Sequence, residues 1–263
     1  MIKREFKVNL KSFIIWLSVL LIMFLVVFLI YPYIITEDTM NQMDELLKVF
    51  PEEILKAFNM DMSSIETAYG WLKSEGFVFV LLIIGIYSST LGLNVLLKEE
   101  SDKTIEYLGT LPITRREIVT NKIIVSIVYI IGMTIILGLF NYICLVLSGS
   151  FDHKEFILLS LTPILIGIPL FAINLFISTY LHKTKKVLGI GLGMVFIFYI
   201  LNVLSELSEK VSFLKYFSIY TLADIRGVIN NNSISLWCIV ISILITGIFI
   251  IGTYIRYNKK ELI

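Results

Sequence analysis

The residues that ordinarily carry catalysis are few in this 263-residue chain and stand apart from one another. The two histidines, His153 and His182, have no metal-ligand neighbours in the sequence, and Cys144 and Cys238 lie in apolar stretches, where we assign them to packing. The chain has no G-x-x-x-x-G-K-[ST] sequence, so it does not bind ATP through a P-loop. The sequence therefore predicts a protein that is not an enzyme and has no metal or cofactor of its own.

Residues 98–122, which read KEESDKTIEYLGTLPITRREIVTNK, contain the clearest functional pattern. From residue 102 onward, Ile105, Leu108 and Leu111 recur on one face of a short helix. Gly109 and then Pro112 are residues that end helices. This spacing predicts a short helix with one apolar face available for contact.

A second helix start follows directly after the first helix ends. Thr114 and Glu117 have the S/T-x-x-E spacing of a capping box, and Ile113 and Ile118 flank it as a hydrophobic staple would. Arg115 then lies in the first turn of a helix that continues into an apolar stretch. A loop that only joined two spans would not need two capped helices, so we interpret 98–122 as a docking element.

Six apolar stretches without charges must position this loop. Apolar residues make up 57% of the chain and charged residues only 16%, whereas soluble domains carry about 25%. All 43 charges lie outside the six stretches, and each stretch is close to the roughly 20 residues that cross a bilayer. A net charge of +1 gives no nucleic-acid footprint. We predict one all-α membrane domain over 1–263, with spans at 13–35, 76–97, 123–147, 156–181, 187–204 and 234–255.

Lysine and arginine counts predict the orientation of these spans. Fifteen of the 22 basic residues lie in the two termini and in the second and fourth loops, which places both termini in the cytoplasm. In residues 1–12, Ile2, Phe6 and Leu10 recur among basic residues, as in an amphipathic helix on an anionic membrane surface. The alternative is a basic tail that serves only topology.

Two loops on the other side are too long or too apolar for simple connections. Loop 36–75 carries nine acidic residues and three lysines, and we read it as two short amphipathic helices that form either a lid over an exit path or a solvated spacer. Loop 205–233 is rich in aromatic residues and is interpreted as interfacial or re-entrant. Thr221 and Asp224 have capping-box spacing, which predicts a short helix that ends at Val228 or Ile229.

Small and polar residues within the spans offer further candidates. Gly189 and Gly193 form a G-x-x-x-G spacing that predicts a homodimer seam, although contact between helices of one subunit would also explain it. Tyr87, Asn94, Asn174 and Asn202 are candidates for lining a path, or for hydrogen bonds between helices. The spans hold no titratable group of the kind that an ion-coupled carrier needs.

The loop resembles that of the permease subunits of type-2 ABC transporters, in which an acidic cluster precedes a Thr-and-Glu turn and a Leu-Pro-Ile/Val-Ser/Thr-Arg sequence. The glycine usual before that turn is Lys103 here. The string 50–58, FPEEILKAF, looks like the branch whose ATPase is a separate chain. The resemblance implies that the loop is a cytoplasmic coupling helix, with the contacting residues Glu99, Glu100, Lys103, Ile105, Glu106, Tyr107, Leu108, Leu111, Arg115 and Arg116.

The resemblance also implies partners and cargo. It predicts two ABC ATP-binding subunits that bind ATP and Mg²⁺, a second copy of this chain, and a bacterial cell membrane, with no nucleic acid. Neutral spans favour amphipathic or hydrophobic cargo, and the chain looks most like exporters of peptides such as phenol-soluble modulins. Lipid, drug or sodium export is the alternative, and a channel or secondary carrier is a more remote one.

Overall fold

The computed structural model describes residues 1–34, 36, 39, 45, 49, 67–101, 114–182 and 184–260, and this part is helical with no strand. Six of its helices are long and apolar enough to cross a membrane, which confirms the predicted all-α architecture with six spans. They are α1 (Ile2–Ile34), α2 (Ala68–Ser101), α3 (Arg115–Ser148), α4 (His153–Ser178), α5 (Val187–Leu207) and α7 (Leu236–Lys259). The short helix α6 (Ile225–Asn231) and 3₁₀ turns at Thr184–Lys186, Glu209–Phe217 and Tyr220–Ala223 complete the described elements.

Alternating helix directions give the bundle two ends. The start of α1 and the ends of α2 and α7 meet at one end, where Glu5, Glu99, Glu100 and Lys260 lie close together. We call this the Glu99 end, and the other the Leu207 end. Residue 1 and residue 260 therefore lie at the same end of the bundle, as the charge count predicts for the two termini.

The N-terminal segment 1–12 is not a separate surface helix. It forms the first turns of α1, which continues for 33 residues and is therefore about 50 Å long, against about 30 Å of hydrocarbon. Its surplus length packs along α3, where the Tyr129 hydroxyl donates to the Phe6 carbonyl oxygen at 2.6 Å. The Tyr129 ring also lies 4.9 Å from the Phe13 ring. The helix continues because no glycine or proline precedes Pro32.

The centre of the bundle is formed by α2 and α4. In their most apolar windows 72% and 61% of the residues are buried, compared with 11% for α1 and for α7. Small residues allow the close approach: a Cβ on Gly92 would lie 2.5 Å from the Phe171 carbonyl oxygen, and one on Gly167 would lie 2.9 Å from Ser88 Oγ. The small-residue face of α2 is thus occupied by contacts within the chain.

At the Leu207 end, capping residues fix the start of both central helices. The Thr67 hydroxyl accepts a hydrogen bond from Gly70 N at 2.9 Å, and the Asp152 carboxylate accepts from Glu155 N at 3.1 Å. The Glu155 carboxylate then accepts from the Tyr69 hydroxyl at 3.0 Å and pairs with Lys73 Nζ at 3.1 Å. The first turns of α2 are therefore tied to the first turn of α4.

The segment after α5 enters the bundle instead of lying only on its surface. Tyr220 is 4% exposed, and its hydroxyl donates to the Leu81 carbonyl oxygen at 3.4 Å. This hydroxyl occupies the space that a Cβ on Gly85 would need. Burial raises the pKa of the Tyr220 phenol. The segment thus has a buried anchor within helices α2 and α5, while Phe213, Tyr216 and Phe217 stay exposed.

The predicted capping role of Thr221 is wrong. Asp224, with a left-handed φ of 38°, is the residue that caps α6, and its carboxylate accepts from Gly227 N at 3.1 Å. The Thr221 hydroxyl instead lies 2.9 Å from the Lys215 carbonyl oxygen and 3.0 Å from Asn202 Oδ1. The helix that follows ends at Asn231, two or three residues beyond the predicted end at Val228 or Ile229.

Candidate functional site

The end of α2 carries two adjacent carboxylates that are almost fully buried. Glu99 is 4% and Glu100 is 7% exposed. They lie in the last turn of α2, where the partial negative charge of the helix end disfavours an acidic side chain. Buried charges at such a place require partners, and the two glutamates take theirs from different helices.

Glu99 is paired with α3 and α1. Lys122 Nζ lies 3.1 Å from Glu99 Oε1 and 3.1 Å from both carboxylate oxygens of Glu5. Arg4 Nη2 lies 3.0 Å from Glu99 Oε2. Glu5 and Lys122 are 1% and 2% exposed, so this part of the network is shielded from solvent.

Glu100 is paired with the end of α7. Lys260 Nζ lies 2.7 Å from Glu100 Oε1 and 2.9 Å from Oε2, and it donates to the Leu181 carbonyl oxygen at 2.7 Å. His182 Nδ1 approaches Glu100 Oε2 at 3.6 Å. Lys260 thereby joins the end of α7 to the end of α2 and to the chain just after α4.

Together these side chains form what we call the ion-pair platform, defined as Arg4, Glu5, Glu99, Glu100, Lys122 and Lys260. Its three acids and three bases balance in charge, and five of its six members are buried. A charge that loses its partner in such a place costs far more than an exposed one. The platform therefore fixes the relative positions of α1, α2, α3 and α7 at this end.

The residues at the far side of loop 102–113 also belong to this region. The Thr114 hydroxyl accepts from Glu117 N at 3.2 Å, and Glu117 Oε2 accepts from Thr114 N at 2.8 Å. This confirms the predicted capping box at the start of α3. Arg115 Nη1 donates to the carbonyl oxygens of Lys260 at 2.8 Å and Asn258 at 3.3 Å, a cationic contact suited to the negative end of α7.

The loop itself lies outside the described residues, and with it the predicted contact residues Lys103, Ile105, Glu106, Tyr107, Leu108 and Leu111. Most of loop 36–75 is also outside them. Arg115 and Arg116 are exposed at the start of α3. The carboxylates of Glu99 and Glu100 form ion pairs within the chain. They can therefore affect docking only by positioning the loop that follows them.

The four polar residues predicted along a path do not come together in a shared lining within the chain. Tyr87 is 1% exposed with its ring 6.4 Å from that of Trp16, and Asn174 is fully buried, donating to the Leu170 carbonyl oxygen at 2.9 Å. Asn202 lies near the Leu207 end beside Thr221, and Asn94 is partly buried in α2. The Asn174 hydrogen bond lies within α4 itself, whereas the Tyr87 contact joins α2 to α1 and the Asn202 contact joins α5 to the segment that follows it.

The two glycines predicted for a dimer seam point into open space. A Cβ added at Gly189 or Gly193 would meet nothing within 4 Å, whereas one at Gly191 would lie 3.2 Å from Thr90 Cγ2. One face of α5 is therefore packed against α2, and the face that bears Gly189 and Gly193 is not covered by the described part of this chain.

Sequence reasoning did not name the platform residues Arg4, Glu5, Lys122 and Lys260 as candidate site residues. One signal for Glu5 was available, because it is the single acid among four bases in residues 1–12. Nothing in the sequence marks Lys260 as a partner of a residue 160 positions away. No group of three or more His, Cys, Asp or Glu side chains suited to a metal is found in the described part.

The fold and the platform define a polytopic helical membrane protein with a loop mounted on a buried ionic network. The model of the ABC-2 family transporter proteins matches residues 1–262. The chain belongs to this family and is a membrane transport component of the permease type, typically not catalytic itself, for which the family implies an ABC ATPase partner. Comparison with curated proteins finds no match, and comparison with solved structures finds none either.

Proposed function

We propose that this chain is the permease subunit of an ATP-driven exporter in a bacterial cell membrane, with amphipathic peptides as its cargo. Two copies of the chain form the path, and two separate ATPase subunits bind ATP and Mg²⁺. The observation that carries this proposal is the family match over residues 1–262, which makes the chain a membrane transport component of the permease type.

The arrangement of the Glu99 end supports ATPase docking at loop 102–113. The loop leaves α2 at Ser101, next to Glu99 and Glu100, and returns at the capped start of α3. Both of its attachment points are held by buried or multiple contacts, so a force applied to the loop acts on a rigid base. With this end in the cytoplasm, as the lysine and arginine count favours, both termini are cytoplasmic and the loop is the coupling helix.

The burial pattern supports a path between two copies of the chain. The core of one copy is filled by α2 and α4, while α5 is only 17% buried in its apolar window. The open face at Gly189 and Gly193 lets a second helix approach closely. The Gly189→Cys variant is made in a chain whose Cys144 and Cys238 have been replaced. It should form a cross-link between two copies in membranes.

Gly247 of α7 provides the matched control for this cross-linking. It also faces open space, because a Cβ there would meet nothing within 4 Å. The Gly247→Cys variant should cross-link less than Gly189→Cys. Equal cross-linking at both positions, or none at Gly189, would contradict a dimer through this face of α5.

The ATPase contact is tested at Leu108, on the predicted apolar face of the loop. Leu108→Asp puts an unpaired charge into a packed contact, which costs on the order of 2–5 kcal/mol. Copurification with the ATP-binding protein and transport should both be lost, while Leu108→Met, which keeps an apolar side chain of similar volume, should retain both. Survival of both activities in Leu108→Asp would show that the loop is not the coupling element.

Cargo is tested by stimulation of ATP hydrolysis in the reconstituted complex. The neutral spans and the acidic loop 36–75 favour cationic amphipathic peptides. A panel of such peptides, anionic peptides, lipids and hydrophobic drugs should show stimulation by the first group. Stimulation by drugs or lipids and by no peptide would assign the alternative cargo.

Deletion of residues 38–61 tests whether loop 36–75 acts at release. ATPase docking and basal hydrolysis should stay near normal, because the loop leaves α1 and enters α2 at the Leu207 end, while peptide export falls. Unchanged export would make the loop a spacer.

A further inference from the structure

We propose that Glu99 and Glu100 pass displacement of loop 102–113 to two different peripheral helices, Glu99 to α1 and Glu100 to α7. Lys122 and Arg4 complete the first route, and Lys260 completes the second. The inference rests on the proposed function, since the displacement comes from the ATPase. It gives Glu99 and Glu100 a positioning role in place of the direct ATPase contact that the motif predicts, and it adds Arg4 and Lys260, which the motif does not name.

The first step is that the two carboxylates diverge. Glu99 and Glu100 are consecutive in a helix, so their side chains leave α2 about 100° apart. Glu99 reaches Lys122 and Arg4, and Glu100 reaches Lys260. The end of α2 is therefore held from two sides by partners that do not contact the same carboxylate.

The second step is that α1 and α7 are peripheral helices that carry buried charges at the Glu99 end. Only 11% of the residues in their apolar windows are buried in the bundle, whereas Glu5 and Lys260 are 1% and 6% exposed. The Tyr129 hydroxyl and Arg115 hold these helices to α3, and the charge pairs join them directly to the last turn of α2. In lipid there is no hydrophobic force to keep two apolar helices together, so these pairs set how each helix follows α2.

The third step is that the pairs lie directly at the loop. Only Ser101 separates Glu100 from the loop, and the two carboxylates occupy the last turn of α2 before it. Coupling between sites is carried by hydrogen-bonded networks and rigid elements, and here both occur together. A shift of the loop moves the end of α2, and the two pairs make α1 and α7 follow.

The test measures distances between spin labels within one chain bound to the ATPase. Cys144 and Cys238 are replaced, and spin labels are attached to cysteines at exposed positions. The pair Lys7→Cys with Ser101→Cys reports on α1. The pair Ser101→Cys with Lys259→Cys reports on α7. Labelled permease is mixed with excess unlabelled permease so that pairs within one chain dominate. Each pair is measured without nucleotide and with ATP, Mg²⁺ and vanadate.

In the wild-type network both distances should stay constant between the two states, because the helices move together. In Glu100→Gln the 101–259 distance should shift or broaden by more than about 2 Å on addition of nucleotide, the scale of helix shifts in switching proteins, while the 7–101 distance stays constant. In Glu99→Gln, which removes the charge that faces both Lys122 and Arg4, the reverse should hold. A general loss of stability would change both distances in both variants, whereas here each variant should change a different distance.

Two further variants complete the experiment. Lys98→Met is the control, because Lys98 lies beside the two carboxylates but is exposed, and it should behave as the wild type. The reversal Glu100→Lys with Lys260→Glu should restore a constant 101–259 distance. Wild-type distances that change as much as those of the variants, or variants whose distances stay constant, would overturn the inference. Failure of the wild type to bind the ATPase would instead overturn the proposed function.

Discussion

Removal of the Lys122 charge should destabilise the permease more than any other single charge removal at the Glu99 end. Lys122 Nζ lies 3.1 Å from Glu99 Oε1 and 3.1 Å from both oxygens of Glu5, with these side chains 1% to 5% exposed. Glu99 keeps Arg4 at 3.0 Å, but Lys122 is the one cation against Glu5 among the described residues. Lys122→Met keeps an unbranched side chain one atom shorter than lysine and leaves the Glu5 carboxylate buried without this cation.

Breaking a buried pair in this way costs about 3–5 kcal/mol. We expect a loss in this range in the free energy of unfolding of the purified permease, measured by denaturant titration in micelles and far-UV circular dichroism. At about 2–4 °C per kcal/mol, the thermal midpoint should fall by on the order of 10 °C. Lys7→Met, at an exposed position of the same helix α1 that carries Glu5, should change the free energy by less than about 0.5 kcal/mol.

The double variant Glu5→Gln with Lys122→Met separates pairing from loss of packing. Because it leaves no unpaired charge on α1, its loss should be smaller than the sum of the two single losses by about 2 kcal/mol, within the range of coupling between contacting residues. Strict additivity of the two losses, or a loss below about 1 kcal/mol for Lys122→Met alone, would show that the buried pair does not hold α1 to α3.

Three further substitutions test the packing and capping contacts. Gly85→Ala should destabilise the permease by about 1–3 kcal/mol because the new methyl group overlaps the Tyr220 hydroxyl. Adding Tyr220→Phe to the same chain should recover part of that loss, and the thermal midpoints of both variants will show this. Gly92→Ala should be at least as costly because the obstructing atom is a backbone carbonyl oxygen of α4, whereas Gly132→Ala, in open space, should be neutral or stabilising by up to about 1 kcal/mol in the same assay. Thr114→Ala should remove about 1 kcal/mol from the start of α3 and increase amide hydrogen exchange in its first turn; Thr114→Ser should retain the cap, and unchanged exchange in Thr114→Ala would contradict the capping role.

The spans and the start of α3 could be predicted because their causes are local. A charged side chain is costly in lipid, and for this reason the spans appear in the sequence as apolar stretches. Every predicted span overlaps one of the six long helices. The Thr114 capping box depends on two residues three positions apart, so the pattern alone was sufficient. The same local reasoning failed at Thr221, because Asp224 is an equally good capping residue and adopts the left-handed conformation that starts α6.

The platform could not be predicted because its pairs join residues far apart in the chain. Glu5 and Lys122 are 117 positions apart, and Glu100 and Lys260 are 160 apart. The periodicity of Ile2, Phe6 and Leu10 favours a surface helix. Apolar spacing indicates which face of a helix is buried, but it does not indicate whether lipid or another helix covers that face. Placing Glu5 in the protein requires the position of α3, which the sequence of residues 1–12 does not contain.

The chain order of the ion pairs has a consequence for biosynthesis. Glu5 meets Lys122 once the start of α3 has been made, so α1, α2 and α3 can associate while the ribosome is still translating. Glu100 must wait for Lys260, which is synthesised 160 residues later, on the order of ten seconds at usual elongation rates. During that interval Glu100 is a carboxylate without its lysine at the membrane border. A nascent chain that stops before α7 therefore keeps Glu100 without the lysine that pairs with it in the complete bundle.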